Sequence, residues 1–231
     1  MNTKTRYTED DKMCALVCSN HYMLFVLSRF GIPMGFGDAT IGEVCRKNRI
    51  DVPTFLAVVN LSLSGRLDRD AGKIDLNPEA IVRYLHNSHE YFLNYRLPTL
   101  RANLSEVICG KDQQDVVVVV MRFFDEYAAE VKKHMQYEEK TVFPYIRALV
   151  QGKADSGYHI EIFRKQHNQI ESRLTELRDI LLKYYAGKTG HEFNATLFDI
   201  FTCAEDLRQH NTLEDVLLVP LIERIEKAGG R

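Results

Sequence analysis

Charge of one sign is what this chain lacks first. Its 30 Lys and Arg balance 32 Asp and Glu, a formal net charge of -2 at pH 7. No run of basic residues interrupts that balance, which excludes a nucleic-acid partner recognised through phosphate charge. Long apolar runs are lacking too. The five valines at 116–120 are far too short to cross a bilayer, so no membrane partner is expected. The opening stretch, MNTKTRYTEDDK, is polar and has no secretory apolar region, which points to the cytoplasm. Paired cysteines are not evident either. The five present, Cys14, Cys18, Cys45, Cys109 and Cys203, are odd in number and irregular in spacing, which argues against a disulfide framework. Cys14 and Cys18 stand one helical turn apart. They read either as a thiol pair for metal or redox work or, more simply, as two small apolar residues on one helix face.

What is present is ordinary for a globular protein. Hydrophobic residues make up 45% and charged residues 27%, and 231 residues suffice for one large domain or for a small and a mid-sized one. Residues 12–30 are apolar at helical spacing, with Gly31 as a C-cap and Pro33 as a stop. Thr40 and Glu43 form a capping box for a second helix, and Asp51-Val52-Pro53 opens a third that runs to about Leu63. These three short helices make a small module over residues 1–70. The polar stretch from Ser64 to Asn77 marks the boundary to a larger domain over 71–231.

Asn77-Pro78-Glu79 is a helix start: a cap, a proline in the first turn and an acid at the positive end of the helix dipole. Four long amphipathic segments follow. The first runs from Pro78 past Leu104, the second over about 112–149, the third over about 158–185 and the fourth over about 191–227. The valine run lies inside the period of the second, so helix is expected there despite β-branching. Four such helices on short connectors predict an all-α chain, an antiparallel four-helix bundle behind a small helical module.

One pattern recurs within it. His134 and Glu138, followed by Pro144 and Ile146, match His210 and Glu214, followed by Pro220 and Ile222, as H-x3-E-x5-P-x-I. Residues four apart share a helix face, so each copy aims an imidazole and a carboxylate the same way. Both pairs continue apolar stripes: Val120, Phe124, Tyr127, Val131 in one helix and Ile200, Cys203, Leu207 in the other. Buried carboxylates need compensation, from a hydrogen-bonded imidazole or from metal. The other two helices carry stripe histidines as well, His167 in the third and His89 or His86 in the first. One histidine per helix and two carboxylates make a six-ligand set for two metal ions. Imidazole with carboxylate suits iron, with zinc and manganese as the alternatives.

The segments HMQYEEKTVFPYI and HNTLEDVLLVPLI resemble the signature segments of haemerythrin-like, HHE-type cation-binding domains, and more closely those of the RIC (repair of iron centres) di-iron family. That resemblance implies a metal set of His89, His134, Glu138, His167, His210 and Glu214. Tyr91, Leu97 and Pro98 match the tail of the family's first motif at a distance that favours His89 over His86. It also implies two iron ions, joined by a solvent-derived oxo or hydroxo bridge, with a position left open for O2 or NO. The stretch SRFGIPMGFGDATIGEVCRKNRIDVPTFLAVVNL resembles the family's ScdA-like N-terminal module, but Met34-Gly35 stands where the family usually has two adjacent cysteines. The function implied is repair of, or protection against, oxidative and nitrosative damage to iron–sulfur centres, with damaged Fe–S proteins as partners. An O2 or NO sensor and a di-iron oxidase or peroxidase-like enzyme are the alternatives, and the chain is left open between a monomer and a homodimer.

Overall fold

The computed structural model describes residues 6–65, 75–108, 114–153, 157–165, 170–185 and 190–229, with the side chains of 114, 115 and 170–172 left aside. The polar stretch carrying the expected domain boundary, the connector with Cys109, and His167 lie outside the described residues. Among the described residues the fold is all-α. Their one β feature is an isolated bridge between Lys12 and Thr40. They fall into two compact units, each assembled from separate stretches of chain.

The first unit takes Met1–Ser88, Phe143–Arg164 and Asn211–Arg231. It opens with α1 (Met13–Ser19), α2 (Met23–Arg29), α3 (Ile41–Lys47) and α4 (Val52–Ser64). Residues 12–30 thus form two helices where the apolar period predicts one. At the break, Asn20 is extended, with φ -152° and ψ 113°, and its side-chain oxygen accepts from the Tyr22 N–H at 2.9 Å. Ser19 donates to the Leu16 carbonyl at 2.8 Å. Such local side-chain bonds offer the backbone an alternative to the helical ladder. The other local signals act as expected. Thr40 and Glu43 close a reciprocal capping box, the Asp51 carboxylate accepts from the Thr54 N–H at 2.9 Å, and Gly65 ends α4 in the left-handed region. Met13, Leu16, Met23, Val26, Leu27, Ile41, Phe55 and Val58 are fully buried, and α4 packs against both α2 and α3. Later in the chain, α8 (Phe143–Val150) and α9 (Ile160–Arg164) pack on α12 (Val219–Ala228). There the buried Glu226 carboxylate accepts from the Tyr145 hydroxyl and the Ile160 N–H.

The second unit takes His89–Val142 and Lys165–His210. It holds the end of α5 (Pro78–Tyr91), then α6 (Leu97–Val107), α7 (Gln114–Tyr137), α10 (Ile170–Tyr184) and most of α11 (His191–Leu213). The valine run lies in α7, with Val120 buried while Val118 and Val119 face solvent, as helical and not strand periodicity requires. Helix α7 packs against α6 and α10. Phe92, Leu100, Phe124, Tyr127, Val131, Leu177, Ile200 and Leu207 are among the buried side chains of one core. Arg96 is buried and donates to the Asp199 carboxylate at 3.1 Å and to its carbonyl at 2.8 Å. Those bonds satisfy a charge whose burial would otherwise be costly.

Three of the long helices share a feature that the apolar period does not reveal. Each changes for five residues into a π-turn: Phe92–Arg96, Glu138–Val142 and Glu214–Leu218. The next α-helix in each case has proline as its second residue, Pro98, Pro144 or Pro220. Proline inside a regular α-helix has no N–H to give, and its ring collides with the carbonyl four residues back. A wider turn, closed five residues back from Leu97 to Phe92 and from Val219 to Glu214, moves that carbonyl aside.

Candidate metal centre

The π-turns position the acidic residues. Glu138 and Glu214 each open one, and each follows by four residues a histidine in the last turns of the preceding helix, His134 in α7 and His210 in α11. His89 lies in the last turn of α5, just ahead of the third π-turn. Glu138 and Glu214 are fully buried, and His89 and His210 are almost so.

Glu138 is the centre of the arrangement. Its Oε2 stands 2.9 Å from His89 Nε2, and its Oε1 stands 2.7 Å from His134 Nε2. Neither oxygen accepts a hydrogen bond from the described residues, despite those separations. Close packing of such atoms without hydrogen-bond alignment is what ligands around a shared ion show. The rings of His89 and His210 lie with centroids 5.2 Å apart, and Phe92 meets His210 edge-on at 5.9 Å. His89, Glu138, His210 and Glu214 each offer one ligand atom, and all four atoms lie within 4.8 Å of one another.

Of the six residues singled out by sequence, four therefore form this group. His134 adjoins it through Glu138, and His167 lies outside the described residues. His86, the alternative to His89, is half-buried and is not in the group.

A residue that the motif did not single out also belongs here. Glu139, next to the central carboxylate, places Oε1 2.7 Å from His89 Nδ1 in a hydrogen bond. Two successive glutamates thus engage the two nitrogens of one imidazole. A carboxylate at Nδ1 holds the proton there and leaves the Nε2 lone pair for coordination. The doubled glutamate in HMQYEEK is the available signal, but adjacent residues on a regular helix point about 100° apart, so a four-residue spacing does not include Glu139. It is half-buried rather than solvent-facing.

The donors suit a metal cation: imidazole nitrogen and carboxylate oxygen, in a volume from which water is largely excluded. The model for the Hemerythrin HHE cation binding domain matches residues 80–222, more than half of the chain. The chain belongs to the haemerythrin HHE family. No curated protein matches it. Within this HHE domain the matched span contains all three π-turns and every residue of the metal group. Among the described residues, no helix is long and apolar enough to cross a membrane.

Proposed function

We propose that this HHE domain holds two iron ions and that the protein protects or repairs iron–sulfur centres under oxidative or nitrosative stress, as a cytoplasmic member of the RIC family with an ScdA-like N-terminal module. The observation that carries the reading is Glu138, a buried carboxylate faced on each oxygen by an imidazole nitrogen at 2.7 and 2.9 Å without hydrogen-bond geometry. His89, His134, Glu138, His167, His210 and Glu214 would hold the ions. Bound iron would supply coordination positions that the protein does not fill, open to a small ligand such as O2 or NO.

The remaining work falls to the protein's own groups. Glu138 and Glu214 balance the cationic charge in a buried volume. Glu139 fixes the tautomer and orientation of His89. Phe92, against His210, keeps water from one side of the imidazole. A second reading, an O2 or NO sensor, draws support from Met34-Gly35 at the position of the family's cysteine pair, because a thiol role in iron delivery has no residues to perform it there.

The test is anaerobic reconstitution with ferrous iron. Two ions per chain and an absorption change on adding O2 or NO are the expected results. A loaded sample unmoved by either gas would leave a structural metal site. Iron passing from the loaded protein to an apo iron–sulfur acceptor supports repair, a stable gas adduct supports sensing, and catalytic consumption of NO or peroxide supports an enzyme. His89 provides a separate check. Glu139→Ala should weaken metal binding by about 10- to 100-fold in a chelator competition, with Glu139→Gln closer to wild type. Equal affinity in Glu139→Ala would show that His89 is oriented without it.

A further inference from the structure

Cys14 and Cys18 are exposed, whereas Cys45 and Cys203 are buried. Both exposed thiols sit on α1, one turn apart, with their sulfur atoms 3.9 Å from each other. The opposite face of that helix is anchored by Met13 and Leu16, both fully buried. The two cysteines share one helix face, as the small-residue reading has it, but that face is not the packed one. The apolar contacts of α1 are made by its other face, and the two thiols are presented side by side to solvent.

We propose that Cys14 and Cys18 form a dithiol site for a thiophilic ion, of the class of zinc, cuprous copper or trivalent arsenic, separate from the histidine–glutamate group. The separation is the argument. Two zinc–sulfur bonds of about 2.3 Å at a tetrahedral angle span about 3.8 Å between sulfurs. The pair already stands at that spacing, so an ion can bridge it with the helix intact. A disulfide fits the site poorly. It needs Cβ atoms about 3.5–4.5 Å apart and sulfurs at about 2.05 Å, whereas side chains one turn apart on a helix have Cβ atoms about 5–6 Å apart. Oxidative coupling would have to unwind α1, and ion binding would not. Each thiol gives up its proton as its sulfur becomes a ligand, so binding strengthens as pH rises. The neighbouring Cys18 sulfur, through its hydrogen bond, pushes the Cys14 thiol up from its ordinary value, which deepens that dependence. Two sulfurs leave positions on the ion for solvent, as suits a site that exchanges its ion.

Phenylarsine oxide is a probe that ignores histidine and carboxylate ligands and bridges thiol pairs. Full-length reduced protein should take up one equivalent, and both Cys14 and Cys18 should then resist alkylation when mapped by mass spectrometry. Zinc and cuprous ions should each be titrated against the arsenical, and displacement identifies which of them the site also takes. Cys14→Ser and Cys18→Ser should each weaken arsenical uptake by about a hundredfold, because the second sulfur no longer acts at high effective concentration. Cys109→Ser should leave uptake unchanged. Wild-type protein that takes up no arsenical, or serine variants that bind as well as wild type, would overturn the site. A Cys14–Cys18 disulfide forming under mild peroxide in place of ion protection would overturn it as well.

Discussion

On the proposed two-iron reading, Glu138→Ala is expected to lose at least one of the two ions while the chain remains helical. Glu138 is the carboxylate that imidazoles from two different helices face, His89 from α5 at 2.9 Å and His134 from α7 at 2.7 Å. An alanine removes both oxygens and leaves the two histidines nothing to share. Glu90, also acidic and next to His89, is exposed, and its Oε2 accepts from Asn94 at 2.7 Å. Glu90→Ala should keep both ions, which controls for a general change in charge. The measurement is metal per chain by elemental analysis beside far-ultraviolet circular dichroism. Two ions retained in helical Glu138→Ala would remove this carboxylate from the site.

Much of this arrangement could be read from the chain, and the gaps have identifiable causes. The repeated H-x3-E spacing placed each imidazole one turn from its carboxylate, because residues four apart stack on a helix wherever the helix sits. The capping signals at Thr40, Asp51 and Asn77 were equally direct, since each is a short-range contact between a side chain and the backbone three residues on. The break at Asn20 was not visible. The apolar period continues across it, and only the local bonds of Ser19 and Asn20 interrupt the helix. The π-turns were missed for a related reason. Apolar spacing tolerates one extra residue, so the prolines at 98, 144 and 220 were the only sign of the change. Glu139 followed from that, because neighbouring residues on a regular helix are not expected to serve one ring. The exposure of Cys14 and Cys18 turned on which face of a seven-residue helix is buried, and so short a helix carries too few apolar positions to decide it.

Removing the metal should lower the melting temperature by about 10 °C or more. An ion held at a thousand times its dissociation constant stabilises the native state by about 4 kcal/mol, and each kcal/mol moves the midpoint of a chain this size by about 2–4 °C. A control separates this from the simpler alternative, in which Glu138 and the histidines are hydrogen-bonded pairs that need no ion. In that case Glu138 stabilises the metal-free protein, and Glu138→Gln should lower its melting temperature. In a metal site the metal-free carboxylate is a burden, because its oxygens are fully buried and accept no hydrogen bond from the described residues. A buried charge short of compensation costs several kcal/mol, part of which protonation relieves. Glu138→Gln should then leave the metal-free midpoint unchanged or raise it, and should abolish most of the rise on adding iron. The two accounts differ on whether this one substitution lowers the metal-free midpoint in one scan. A metal-free Glu138→Gln variant that melts below metal-free wild type, together with a wild type indifferent to iron, would favour the hydrogen-bonded pairs.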